Sequence, residues 1–158
     1  MQVEPFIFFT GKYEKTVDAK RRVNLPAILI SQVASKTFNI TRGQDQDLYV
    51  YPQEVFVKKA MQLNENFGSR GEQDLERRLY FQETLADAQP VQADQQGRII
   101  LPQSFLEYAK IDTNVLIIGA VDKLIFWNPD LYHSFIQSSQ LSEKERVNQY
   151  GWGESKEQ

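Results

Sequence analysis

Short apolar runs broken by turn-forming clusters dominate the chain, and helical spacing is confined to a few stretches. Residues 13–17 alternate as a half-buried strand does. Val23-Asn24-Leu25 and Ile99-Ile100-Leu101 are apolar runs that stop at Pro26 and Pro102. Each follows an Asp-x-x-x-Arg segment, so each is expected as the return strand of a hairpin across that turn. Phe38-Asn39-Ile40 and residues 114–118 predict further strands. Turns around 43–47 and 119–123 then lead into last strands at 48–51 and 124–127.

The same phrase is written twice. Asp18-Ala19-Lys20-Arg21-Arg22-Val23-Asn24-Leu25-Pro26 returns 76 positions later as Asp94-Gln95-Gln96-Gly97-Arg98-Ile99-Ile100-Leu101-Pro102. Slid by that interval without gaps, Thr37 falls on Thr113, Ile40 on Leu116 and Gly43 on Gly119. Leu48-Tyr49-Val50-Tyr51 then falls on Leu124-Ile125-Phe126-Trp127. A shared register of that extent is the mark of a duplicated unit. Each copy reads as hairpin, short helix, hairpin. A unit of this size buries too little alone, and two independent beads would expose strand edges and an apolar face. The copies are therefore expected to complete one another in a single pseudo-symmetric β-barrel.

Helical spacing marks the remainder. Short helices are expected over 27–34, with Leu29 and Val33 on one face, and over 103–109. Pro26 and Pro102 suit the first helical turn. Between the copies, Phe56, Ala60, Leu63 and Phe67 form a stripe, broken by the Asn, Gly and Ser of 64–71. Ser69-x-x-Glu72 is expected to cap a second insert helix carrying Leu75 and Leu79. A further helix begins near Asp130, with Leu131, Phe135 and Ile136. Ser142-x-x-Glu145 signals a short one in a polar tail that is expected to be mobile. The boundaries are 9–56 for the first repeat, 57–84 for the helical linker, 85–136 for the second repeat and 137–158 for the tail. The class is mainly β with short helices, α+β.

Composition narrows the function. At 158 residues with 41% hydrophobic content, the chain can build a core. Cysteine is absent, which removes disulfide and thiolate chemistry and points to a reducing, cytoplasmic setting. No run approaches a membrane span. The only histidine, His133, has no evident catalytic partner. No metal-ligand spacing, phosphate loop or serine elbow occurs, so neither an enzyme, a metal site, a cofactor nor a small-molecule substrate is expected.

The net charge of −3 does not advertise a nucleic-acid binder, but the charge is unevenly placed. From Lys12 to Val23, five cations (Lys12, Lys15, Lys20, Arg21, Arg22) meet two carboxylates (Glu14, Asp18), a net +3. A protruding basic hairpin can track phosphates or enter a major groove as a β-ribbon, with Asn24 just behind it. A plain solvated turn accounts for the same charges. Asp18 and Asp94 read as braces of their turns, whereas Arg22 and Arg98 can brace, bind phosphate or do both. Gly97 suits a positive-φ position that Arg21 fills under mild strain in the first copy.

The doubled Asp-x-x-x-Arg, aliphatic-x-Leu-Pro phrase, with Leu48-Tyr49-Val50-Tyr51-Pro52 and Ile125-Phe126-Trp127 after it, resembles the MraZ family of tandem SpoVT/AbrB-type modules over residues 9–136. The resemblance implies two swapped-hairpin half-units forming one barrel, assembled as a closed ring homo-oligomer. It also implies binding to short promoter repeats in double-stranded DNA upstream of the division and cell-wall gene cluster, and association with the nucleoid. Asp18, Lys20 and Arg22 match the family's Asp-x-Lys-Gly-Arg, with Arg21 in place of its glycine. The second copy matches at Asp94, Gly97 and Arg98 but has Gln96 where the lysine belongs, so the first copy is expected to dominate DNA contact. The candidate contacts are Lys12, Lys15, Lys20, Arg21, Arg22, Asn24 and Arg98. The competing reading is an antitoxin-type protein-interaction module without promoter specificity of its own.

Overall fold

The computed structural model describes residues 6–71 and 74–152, with backbone alone for 67–71. Eight strands and six helices follow in the order β1 (Lys12–Thr16), β2 (Arg22–Asn24), α1 (Ala27–Ile30), β3 (Thr37–Arg42), β4 (Leu48–Pro52), α2 (Gln53–Gly71) and α3 (Leu75–Asp87). Then come β5 (Gln89–Gln92), β6 (Arg98–Ile100), α4 (Gln103–Ala109), β7 (Asn114–Ala120), β8 (Lys123–Trp127), α5 (Pro129–Gln137) and α6 (Glu143–Tyr150). This is the mixed α+β class expected.

The strands of the two copies are interleaved. A six-stranded sheet runs β1-β7-β8-β4-β3-β5, and β2 pairs with β6 in a separate two-stranded ribbon. Every strand of the first copy therefore hydrogen-bonds to one of the second: β1 to β7, β2 to β6, β3 to β5 and β4 to β8. Exchanging the copies reverses the sheet order and leaves it unchanged. Two ladders straddle this pseudo-two-fold, with Val23 facing Ile99 and Tyr49 facing Ile125, each its own repeat counterpart.

Here the structure departs from the expected local pairing. The 43–47 and 121–122 turns do close hairpins, β3 with β4 and β7 with β8. The two Asp-x-x-x-Arg turns do not. β1 and β2 form no ladder with each other; Asp18 N donates to Arg22 O at 3.1 Å across the turn, and the strands pair with partners in the other copy. A three-residue β2 gains more by laying Val23 and Leu25 against Ile99 and Leu101, all four buried, than by pairing with the half-exposed β1.

The core lies between ribbon, sheet and the short helices: Val23, Leu25, Leu29, Val33, Ile99, Leu101, Phe105 and Ala109 sit with Phe38, Ile40, Val50, Ile117, Leu124 and Phe126. Pro26 and Pro102 stand one residue before their helices, and their carbonyls accept the first helical bonds from Leu29, Ile30, Phe105 and Leu106. α1 ends at Ile30 rather than near residue 34, although Leu29 and Val33 are both buried as their spacing requires.

In the insert, α2 continues to Gly71, through the Asn-, Gly- and Ser-rich segment expected to break it. α2 packs against α3 and the β3–β4 hairpin, and tertiary support of this kind overrides a propensity penalty of about 1 kcal/mol per poor residue. Asp74 caps α3, accepting from Arg77 N at 3.3 Å; the expected Phe67 contact and the Ser69–Glu72 cap lie outside the described side chains. Ser142 does cap α6, accepting from Glu145 N at 3.1 Å. Trp152 is exposed, and no described helix is long and apolar enough to cross a membrane.

Candidate nucleic-acid interface

The two turns are built alike, residue for residue. Asp18 Oδ1 accepts from Lys20 N and Arg22 N, both at 2.9 Å, while Oδ2 takes Arg22 Nε at 2.7 Å. Asp94 accepts from Gln96 N and Arg98 N, both at 2.9 Å, and from Arg98 Nε at 2.8 Å. One carboxylate thus closes the turn and aims its arginine. The backbone donors of Arg22 and Arg98, ahead of the guanidinium contacts, hold both carboxyls below the usual 3.8 against a smaller opposing desolvation.

The third turn residue has positive φ in both copies, 64° at Arg21 and 78° at Gly97. This conformation turns its carbonyl toward the opposite copy. Leu101 N donates to Arg21 O and Leu25 N to Gly97 O, both at 2.9 Å. The Leu-Pro end of each phrase therefore caps the turn of the other, and the turns sit at opposite ends of the β2–β6 ribbon.

That ribbon sorts the candidate residues. Val23 and Ile99 point inward with no exposed surface, so the pleat sends Arg22, Asn24, Arg98 and Ile100 outward. Arg22 stands across from Ile100, and Asn24 across from Arg98. The bonds at Arg21–Leu101 and Gly97–Leu25 make these two the close, non-hydrogen-bonded kind of pair, with Cβ atoms about 4.5–5.5 Å apart. Lys20 and Arg21 stand exposed at one end of the ribbon. Arg21 also lines a cleft of about 560 Å³ beside Gln103 and Glu107 of α4 and Lys110 just after it. At the other end the corresponding positions are Gln96 and Gly97.

Lys12 and Lys15 stand outside the ribbon strands. They belong to β1, register with Ile118 and Val115 of β7, and project to opposite faces of the strand. Lys12 lies about 20 Å along the chain from Asp18 at ~3.3 Å per residue. Ile100, which the sequence reading did not single out, also stands on this face, 51% exposed among three hydrogen-bonding side chains. The one available signal was its position as the repeat counterpart of Asn24.

Comparison with known proteins gives consistent matches. The family described as "MraZ protein, putative antitoxin-like" matches residues 8–78 and 84–149. The transcriptional regulator MraZ of Carboxydothermus hydrogenoformans is 31% identical over 137 residues, 87% of this chain and 92% of that protein. The protein of the same name from Bifidobacterium longum is 32% identical over 136 residues, 85% of this chain and 83% of its own length. That of Cytophaga hutchinsonii is 30% identical over 148 residues, covering 87% and 93%. With both repeats and most of each relative spanned, the chain belongs to the MraZ family.

Proposed function

We propose that this chain is a DNA-binding transcriptional regulator, not an enzyme, that docks its β2–β6 ribbon and first turn on double-stranded promoter DNA. The relatives' name as transcriptional regulators supports the regulatory role. The observation that carries the mode of binding is the outward ribbon face, where Arg22, Asn24 and Arg98 lie side by side with Lys20 and Arg21 at one end. Arginine and asparagine supply the donors that read guanine and adenine edges, and the flanking cations supply phosphate contacts. The interleaved pairing of the copies supports one pseudo-symmetric swapped-hairpin barrel as the unit that presents this face. Assembly of such units into a closed ring would place several ribbons on successive promoter repeats, so that weak single contacts multiply. It would also let a chain of net charge −3 bind DNA. The family resemblance extends the reading to repeats upstream of the division and cell-wall genes and to a cytoplasmic, nucleoid-associated protein.

Within this reading Asp18 and Asp94 aim the arginines, and Lys20 and Arg21 make the first copy the stronger contact. Lys20→Ala with Arg21→Ala is expected to abolish promoter binding in a gel shift while the oligomer persists. Arg98→Ala should cost less affinity. Normal binding by the double variant would refute the role of the first turn, and the reverse order would exchange the copies. The family description's "antitoxin-like" keeps a protein-interaction module as the second reading. Phosphate-driven binding weakens steeply between two salt concentrations, whereas that module gives no shift at either.

A further inference from the structure

The ribbon face is basic at two of its four outward positions, polar at a third and apolar at the fourth. Ile100 cannot turn inward. Its neighbours Ile99 and Leu101 have no exposed surface, so the pleat and the core fix their orientation and hence its own. A single exposed isoleucine is unremarkable by itself. This one shares a face with Arg22, Asn24 and Arg98, directly across from Arg22. Its repeat counterpart, Asn24, is across from Arg98, so the duplication has placed a hydrogen-bonding side chain and an aliphatic one at symmetry-related points. Successive outward residues on a strand are about 6.7 Å apart. Two base steps of about 3.4 Å span the same distance, so neighbouring outward side chains meet bases at related depths. Among major-groove base edges, the apolar feature is the 5-methyl group of thymine.

We propose that Ile100 is a specificity-determining residue that packs on a thymine methyl in the major groove, so that the second repeat reads an apolar feature where the first reads a hydrogen-bonding one. The inference rests on the DNA reading above and deepens it.

The test uses the full-length protein and the duplex it protects upstream of its own coding sequence or, if none is protected, a duplex selected from a random pool. Each thymine in turn is replaced by uracil, which removes the methyl and keeps the base pair. Wild-type protein is expected to lose about fourfold in affinity at one or two positions, the effect of one buried methyl-sized group. Ile100→Ala should lose a similar factor on the thymine duplex and nothing further on the uracil duplex at those positions. Ile100→Asn, which installs the residue already accepted at position 24, should likewise be blind to the methyl. Circular dichroism identifies any variant that misfolds, and the other then decides. A folded variant that keeps the wild-type methyl sensitivity overturns the role of Ile100. Wild-type protein that binds no duplex at low salt overturns the DNA reading, and this inference with it.

Discussion

Replacing Arg21 by glycine separates the shape of the first turn from its charge. At φ 64° an L-residue pays a left-handed penalty of about 1–2 kcal/mol that glycine does not. Glycine gives back about 0.4–1 kcal/mol through the freer unfolded chain. Arg21→Gly should therefore stabilise the protein by about 0.5–1 kcal/mol. Gly97→Ala reverses the experiment. The added Cβ would stand 3.6 Å from Ile30 Cδ1 and 3.9 Å from Leu25 O, ordinary contacts, so only the φ of 78° opposes it. It should destabilise by the same ~0.5–1 kcal/mol. Arg21→Ala keeps the strain and removes the charge, so its stability should stay near that of the wild type. In urea, with a slope of about 2 kcal/mol/M, Arg21→Gly and Gly97→Ala should move the midpoint by roughly 0.3–0.5 M in opposite directions. Protein concentration must be held fixed, since any self-association contributes. In gel shifts both Arg21 variants should bind DNA more weakly, with the salt slope reduced by about 0.9 for one lost phosphate contact. Loss of stability in Arg21→Gly would refute the strain argument. Unchanged affinity in both Arg21 variants would remove Arg21 from the interface.

Two further predictions concern the turn carboxylates and the N-terminal end of β1. The carboxyls of Asp18 and Asp94 should titrate below 3.8 by carbon-detected NMR, because the native turn stabilises the charged form. With the folded value below the unfolded one, their contribution is present above the unfolded value and lost as pH falls through the folded one; a midpoint at or above 3.8 would contradict the brace. Gly119→Ala should destabilise by about 1–3 kcal/mol or more. Its Cβ would meet Thr10 O at 2.6 Å and Thr10 C at 2.7 Å, backbone atoms that cannot rotate aside; a stability within 0.5 kcal/mol, roughly the range of an ordinary surface change, would show that the N-terminal segment is not held there.

Local chemistry is what made much of the site legible. The Asp-x-x-x-Arg brace, the positive φ of Arg21 and Gly97, the helix starts after Pro26 and Pro102 and the Ser142 cap are all settled within a few residues. What failed was non-local. Alternation marks Tyr13 to Val17 as a strand but does not name its partner, and the partner is β7 rather than β2. Lys12 and Lys15 lie near the turn in sequence, and the structure places them on β1, in register with β7 of the other copy. The ungapped repeat also hid a slip. Phe38 and Ile40 pair as Val115 and Ile117 do, an interval of 77, while Tyr49 and Ile125 keep 76. An extra residue before β7 is offset by one fewer in the turn after it, where Ala120 and Lys123 close around two residues.

The duplicated unit and the cation excess of its first turn are written in the residue order itself, and the two braced turns follow from contacts among near neighbours. The exchange of strands between the copies came from the fold, since strand pairing is governed by which apolar faces can be buried together. That exchange is also what sets Asn24 against Arg98 and Arg22 against Ile100. The face proposed to read DNA is therefore contributed by both repeats, through a pairing that neither repeat contains alone.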